Sequence, residues 1–261
     1  MGKMSRRLKK RVGRLTFQDF ALFAVVGVLL VGSSYTMDRI RATPTAAIVH
    51  ATLPSPSPVS PAVRHNALFI GDSYTAGAGG GGAFTGEACL TARAMNWRCS
   101  LDAQVGTGFV ADGQTSAIAS THFAAVGARL AATKQSYPSS DIVLVDVGRD
   151  DGRVDRATLE LAAADYLKNL RLAYPQAALV LIVPYYITSQ APPLGPEFTT
   201  FLTAQAALYQ ATVIDPFAGG WISPALTGSL AGDDGIHPSA AGHSWIASHL
   251  ASALRAAKIG V

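Results

Sequence analysis

Cysteine is nearly absent from this chain: Cys89 and Cys99 are the only two in 261 residues. No second Cys/His pair accompanies them at zinc-ligand spacing, so a structural zinc site is excluded. Charge is also scarce. Only 15% of residues are charged and 49% are hydrophobic, a composition too apolar for an intrinsically disordered protein. What basic excess exists is confined to one end. Residues 1–41 hold nine Lys/Arg against two acids, whereas the other 220 residues hold twelve against fifteen. The pI near 9.2 is therefore a property of the tail. The body has no basic patch to suggest nucleic acid. The chain has no internal repeat. The glycine run Gly79–Gly82 lacks the Lys-Ser/Thr of a phosphate-binding loop, which argues against nucleotide binding.

The basic tail, residues 1–19, precedes an uncharged, apolar run from Phe20 to Met37. Such a run has the length of a membrane span, about 17–25 residues. Basic residues before a span hold that end in the cytoplasm, so the remainder is expected outside. A cleaved signal peptide is the alternative and would leave the protein secreted. Its apolar core would be shorter, about 7–15 residues, and no convincing cleavage site follows. Residues 38–65 then read as a linker. Pro44, Pro54, Pro56, Pro58 and Pro61 alternate there with Ser, Ala and Val, a mixture that stays extended. In an exported chain, the Cys89/Cys99 pair suggests one disulfide, provided that the helix carrying Cys89 ends before Cys99.

Residues 66–261 read as one domain. Five apolar runs recur: Asn66–Ile70, Leu101–Val105, Asp141–Val147, Ala177–Val183 and Ala211–Ile214. Most are almost continuously apolar, as in strands covered on both faces. Helical spacing appears over Thr158–Tyr174, Phe198–Tyr209 and Ala240–Lys258. The alternation predicts a mostly parallel five-stranded sheet between helical layers, a three-layer α/β/α sandwich. Ligands of such sheets bind beyond the carboxyl ends of the strands. Ser73 follows the first strand, Gly106 the second, and Gly148-Arg149-Asp150-Asp151 the third.

A serine hydroxyl needs a base to take its proton, usually a histidine fixed by a carboxylate. Of six histidines, His50 and His65 fall in the linker, His122 in a polar stretch, and His243 and His249 on the last helix. His237 remains, at the mouth of that helix, with Asp234 three residues before it. That spacing can bring a carboxylate to one imidazole nitrogen and leave the other for Ser73.

This ordered set resembles the SGNH, or GDSL-type, serine hydrolases over about residues 66–258. Gly71-Asp72-Ser73 matches the first motif, with Tyr74 where leucine is common. Val105-Gly106-Thr107-Gly108 supplies the glycine that lends a backbone N–H to the oxyanion hole, Gly106 being favoured over Gly108. Asp234 and His237 match the final Asp-x-x-His. The resemblance implies a flavodoxin-like fold and ester hydrolysis through an acyl-serine. No metal or organic cofactor is implied. The Gly-x-Ser-x-Gly elbow is missing because Thr75 stands at the second glycine, which argues against the α/β-hydrolase fold. The third motif departs from the family's Gly-x-Asn-Asp: Asp150 occupies the position of the oxyanion-donating Asn. An ionised Asp150 can only accept hydrogen bonds. It is either protonated, turned away, or the mark of a weak site.

The expectation is a membrane-anchored, outward-facing esterase acting on O-acyl glycans or lipids. The rivals are an acyltransferase with the same triad and a catalytically weak envelope-binding module. Asp72 is expected to brace its turn, Asp151 and Asp233 to be loop residues, His243 to pack locally and Arg149 to be solvated. Gln190–Pro196 and Gly219–Gly232 are candidate lids, and Trp221 a candidate acyl or sugar contact.

Overall fold

A computed structural model describes residues 64–114, 123–223, 225 and 227–261. The basic tail, the apolar run 20–37, nearly all of the linker, and His50 and His122 lie outside the described residues. Among the described residues, no helix is long and apolar enough to cross a membrane.

The elements run β1 (Asn66–Gly71), α1 (Glu87–Ala94), β2 (Arg98–Ala103), α2 (Val126–Ser136), β3 (Ile142–Asp146), α3 (Arg156–Ala173), β4 (Ala178–Ile182), α4 (Gly195–Leu208), β5 (Ala211–Ile214), α5 (Thr227–Leu230) and α6 (Ala240–Ala256). All four strand pairings are parallel and the sheet order is β2-β1-β3-β4-β5. This is the doubly wound order that reverses between β1 and β3. Alternate residues of each strand feed opposite faces. Phe69, Leu144 and Ile182 pack with Ile246, Leu250 and Leu254 of α6 and with Ala88 and Ala92 of α1. Leu68, Ile70, Val143 and Leu181 pack with Leu130 of α2, Leu159, Tyr166 and Leu170 of α3, and Phe198 and Leu202 of α4. Burial on both faces explains why the central strands read as continuous apolar runs.

Local chemistry sets the element ends. The Asp155 carboxylate accepts from Thr158 N–H at 3.0 Å and caps α3, so this helix starts at Arg156, two residues before the periodic pattern. Pro196 stands in the first turn of α4, which begins at Gly195 and not at Phe198. The second strand needs the largest correction: it spans Arg98–Ala103, not Leu101–Val105. As an edge strand it is only partly buried, so the apolar run overlaps only its last three residues; a turn through Asn96, at φ 59°, starts it. Cys89 on α1 and Cys99 on β2 are joined by a disulfide, with Cα atoms 5.4 Å apart.

Candidate active site

The chain turns sharply at the end of β1. Asp72, fully buried, accepts from the Tyr74 N–H at 2.9 Å, and Ala76 N–H returns to Asp72 C=O at 3.0 Å. This turn lifts Ser73 to the carboxyl edge of the sheet. The distant partner is a turn just before α6. Asp234 Oδ1 accepts from the N–H groups of Ile236 and His237, each at 2.9 Å. Its Oδ2 lies 2.6 Å from His237 Nδ1. Ser239 follows as the cap of α6, accepting from Gly242 N–H. The two turns meet closely: at Gly79, φ 81°, a Cβ would lie 2.5 Å from the Pro238 carbonyl and 3.0 Å from His237 Cβ. Only glycine lets the loop after Ser73 pass there.

Ser73 Oγ lies 2.9 Å from His237 Nε2. The hydrogen bond from His237, then those from the two backbone N–H groups, hold the Asp234 carboxyl down at about 2. An ionised carboxylate only accepts, so the proton of the imidazole sits on Nδ1 and Nε2 is left to accept from Ser73 O–H. The other described histidines are engaged elsewhere. His243 is buried, pairs through Nδ1 with the Glu87 carboxylate and donates from Nε2 to Ala78 C=O at 2.9 Å. Burial opposes its charge, but Glu87 outweighs burial and raises its pKa. His249 faces the Trp245 carbonyl.

A cavity of about 260 Å³ opens over Ser73 and is bordered by Gly106, Asp150, Tyr186, Ile236 and His237. Among the described residues, no hydrogen bond consumes the N–H of Ser73 or of Gly106. The Gly108 N–H, by contrast, is spent on Ala111 C=O at 2.9 Å, which removes Gly108 as the alternative donor. Asp150 sits on a short 3₁₀ turn, Arg149–Asp151, after β3. The residue as a whole is exposed, yet its carboxyl is desolvated enough to be pushed up to about 6, with the charge of Asp72 adding to the effect. Asp151 is fully buried and takes three backbone N–H groups, from Phe109, Val110 and Ala111, at 2.7, 3.0 and 2.8 Å. It fastens the loop that carries Gly106.

Arg149 is not the solvated arginine expected from sequence. It is buried at the wall of the Ser73 cavity, bonded to Asp72 Oδ2 at 3.0 Å and to Asp146 Oδ1 at 2.8 and 2.6 Å. Its guanidinium also lies 4.2 Å from the ring centre of Tyr74 and 5.0 Å from that of Tyr185. One cation cannot neutralise two buried carboxylates. Burial accordingly raises Asp72 and pushes Asp146 up to about 7, against the pull of Arg149. The local signal in the sequence is Asp146, three residues before Arg149; Asp72 lies 77 positions away. Trp221 is also a core residue, packed edge-on against Tyr185, and does not border the cavity. Of the proposed lids, Pro193 and Leu194 border a separate cavity beside Gly152 and Arg156.

A parallel α/β sheet carrying Ser, His and Asp within hydrogen-bond reach at its carboxyl edge defines a serine hydrolase class. The sequence profile of the GDSL-like lipase/acylhydrolase family matches residues 69–245. The chain belongs to that family and is a carboxylic ester hydrolase. It is 29% identical over 196 residues to a GDSL lipase of Mycobacterium tuberculosis, covering 73% of this chain and 82% of the relative. In fold it is similar to the psychrotrophic esterase EstA from Pseudoalteromonas sp., solved inhibited by monoethylphosphonate. That similarity has TM-score 0.56 and 17% identity, over 74% of this chain and 98% of the other. It is also similar to a family two carbohydrate esterase from Clostridium thermocellum in complex with cellohexaose, with TM-score 0.57 and 18% identity, over 80% and 68% of the two chains.

Proposed function

We propose that the chain is an extracytoplasmic serine esterase that cleaves O-acyl groups from cell-envelope glycans through an acyl-serine intermediate. Ser73 attacks the ester carbonyl, and His237 accepts the Ser73 proton and then delivers it to the leaving alcohol. Asp234 holds the imidazole in the required tautomer. The N–H groups of Ser73 and Gly106 face the developing oxyanion. Water then repeats the sequence on the acyl-enzyme. The observation that carries this reading is the continuous contact from Asp234 Oδ2 through His237 to Ser73 Oγ, at 2.6 and 2.9 Å.

Glycan esters are favoured over lipids by what borders the site. A second cavity, of about 370 Å³, shares Asp150 and Tyr186 with the first and adds Arg153. An alkyl chain lying there would desolvate charged groups, whereas sugar hydroxyls can hydrogen-bond to them. The carbohydrate esterase of similar fold binds cellohexaose. The same cavity favours a second reading, acyl transfer, in which a sugar hydroxyl takes the place of water. Anchoring through residues 20–37, with the domain outside, rests on the basic flank and the apolar run. The Cys89–Cys99 disulfide supports an oxidising compartment.

Ser73→Ala is expected to abolish hydrolysis of short p-nitrophenyl esters and labelling by a fluorophosphonate, with an unchanged melting curve. Undiminished turnover would reject Ser73 as the nucleophile. An acetylated oligosaccharide supplied with a second sugar separates hydrolysis from transfer by its products. Protease applied to intact cells should release the domain by cutting within the linker; a protected, cytosolic domain would reject the outward topology.

A further inference from the structure

We propose that Tyr74, the residue after the nucleophile, is a positioning residue for His237, acting through the carbonyl of Ile236. Its hydroxyl is completely buried and makes two bonds to two separate loops. It donates to Ile236 C=O at 2.6 Å and accepts from Ile187 N–H at 3.2 Å. Ile236 lies between Asp234 and His237 in the turn that carries both. That turn is otherwise a surface feature, with Asp234 about half exposed, and its remaining bonds are largely its own: Gly235 N–H to Gly232, Gly232 N–H to His237, and the two N–H groups held by Asp234. These bonds keep Asp234 and His237 aligned with each other. They do not set the distance from His237 to Ser73.

The close approach at Gly79 brings the two turns together, and Tyr74 adds a hydrogen-bonded link between them. Its backbone is fixed beside Ser73 by the Asp72 carboxylate. Its ring lies under the Arg149 guanidinium, which Asp72 and Asp146 hold, and its edge meets Tyr185 at 5.9 Å between centres. A rigid arm thus runs from the nucleophile's own turn to the carbonyl next to the base. Tyr74, standing where leucine is common, and Arg149, at the open position of the third motif, form an arm and its clamp.

The inference rests on the assignment of Ser73 and His237 made above, and the test separates the two. Tyr74→Phe keeps the ring under Arg149 and removes only the hydroxyl. Turnover of p-nitrophenyl acetate is measured well below the melting temperature and divided by the sites that a fluorophosphonate labels at completion. The expected result is kcat per labelled site lower by about tenfold or more, because loss of near-attack geometry of this kind is costly. KM should stay in place, since the Asp234–His237 pair is untouched. A merely structural role would lower the melting temperature or the labelled fraction and leave kcat per labelled site unchanged, and that outcome overturns the proposal. If Tyr74→Phe does not fold, the wild-type Ile187 amide decides: slow hydrogen exchange by NMR supports the clamp and rapid exchange rejects it. An active Ser73→Ala enzyme would instead reject the assignment on which the inference stands.

Discussion

Gly108 lies so close to Asp151 that a Cβ on Gly108 would fall 2.2 Å from the Asp151 Oδ2. The family's third motif therefore grips its second. The Asp151 carboxylate collects the next three N–H groups, Phe109 to Ala111, and the loop so fixed includes Gly106 at the cavity wall. Asp151→Ala leaves three inward-facing donors without their acceptor, at about 1–3 kcal/mol for each that stays dry. We expect a total loss of about 3 kcal/mol or more in urea unfolding, with kcat/KM falling as the Gly106 loop loosens. Gly108→Ala should act in the same direction at about 1–3 kcal/mol through overpacking. Unfolding midpoints equal to wild type in both variants would show that the loop does not depend on this contact.

Asp146 predicts an unusual pH dependence of stability. Its carboxyl is pushed up to about 7 by burial, against about 3.8 for the ordinary group. Between these values the folded state binds a proton that the unfolded state has released, so stability falls as pH rises from about 4 to 7. Asp146→Asn retains an oxygen for Arg149 but cannot ionise. Its stability profile over that range should be flatter than that of wild type, as read from denaturant midpoints at successive pH values. Identical slopes would assign the pH dependence to other groups.

The disulfide joins α1 to the edge strand β2 and closes a short loop. Replacing both Cys89 and Cys99 with Ser should cost about 2–4 kcal/mol. Peptide mass spectrometry without reductant should find the two linked in the native protein. Free, alkylatable thiols would remove this support for an oxidising compartment.

The parts legible in the sequence were those written in local chemistry. Central strands buried on both faces showed as apolar runs, and Gly-Asp-Ser and Asp-x-x-His announced the turns whose side chains the fold brings within 2.9 Å. The edge strand β2 starts three residues before its apolar run, because partial burial lets polar Arg98 and Ser100 into it. Helix α2, Val126–Ser136, escaped notice because Gly127, Ala128, Ala131 and Ala132 give it a weak apolar stripe. Arg149 was misjudged for a different reason. Burial of a cation depends on partners from other elements, and Asp72 lies 77 positions away. The Tyr74 clamp, with bonds to residues 162 and 113 positions distant, was equally invisible.

Asp150 carries the sharpest prediction about catalysis. It borders the same cavity as Ser73 and Gly106, at the position where the family's pattern has an amide donor. Its carboxyl, pushed up to about 6 chiefly by burial, is neutral and able to donate below that pH and ionised above it. A carboxylate beside a developing oxyanion opposes it, so any contribution from Asp150 fades as pH rises through about 6. Asp150 thus serves the oxyanion only in its protonated form, while His237 must accept the proton from Ser73. The wild-type kcat/KM profile should therefore fall at higher pH along an upper limb that belongs to Asp150. Asp150→Asn installs a donor that does not titrate. It should flatten the upper limb and raise kcat/KM near neutral pH, by up to about 10²-fold where the donor was absent. Profiles of both proteins with the same p-nitrophenyl ester make the comparison. An Asn variant that is no faster, with an unshifted upper limb, would place Asp150 outside the oxyanion hole and leave the Ser73 and Gly106 amides as its only donors among the described residues.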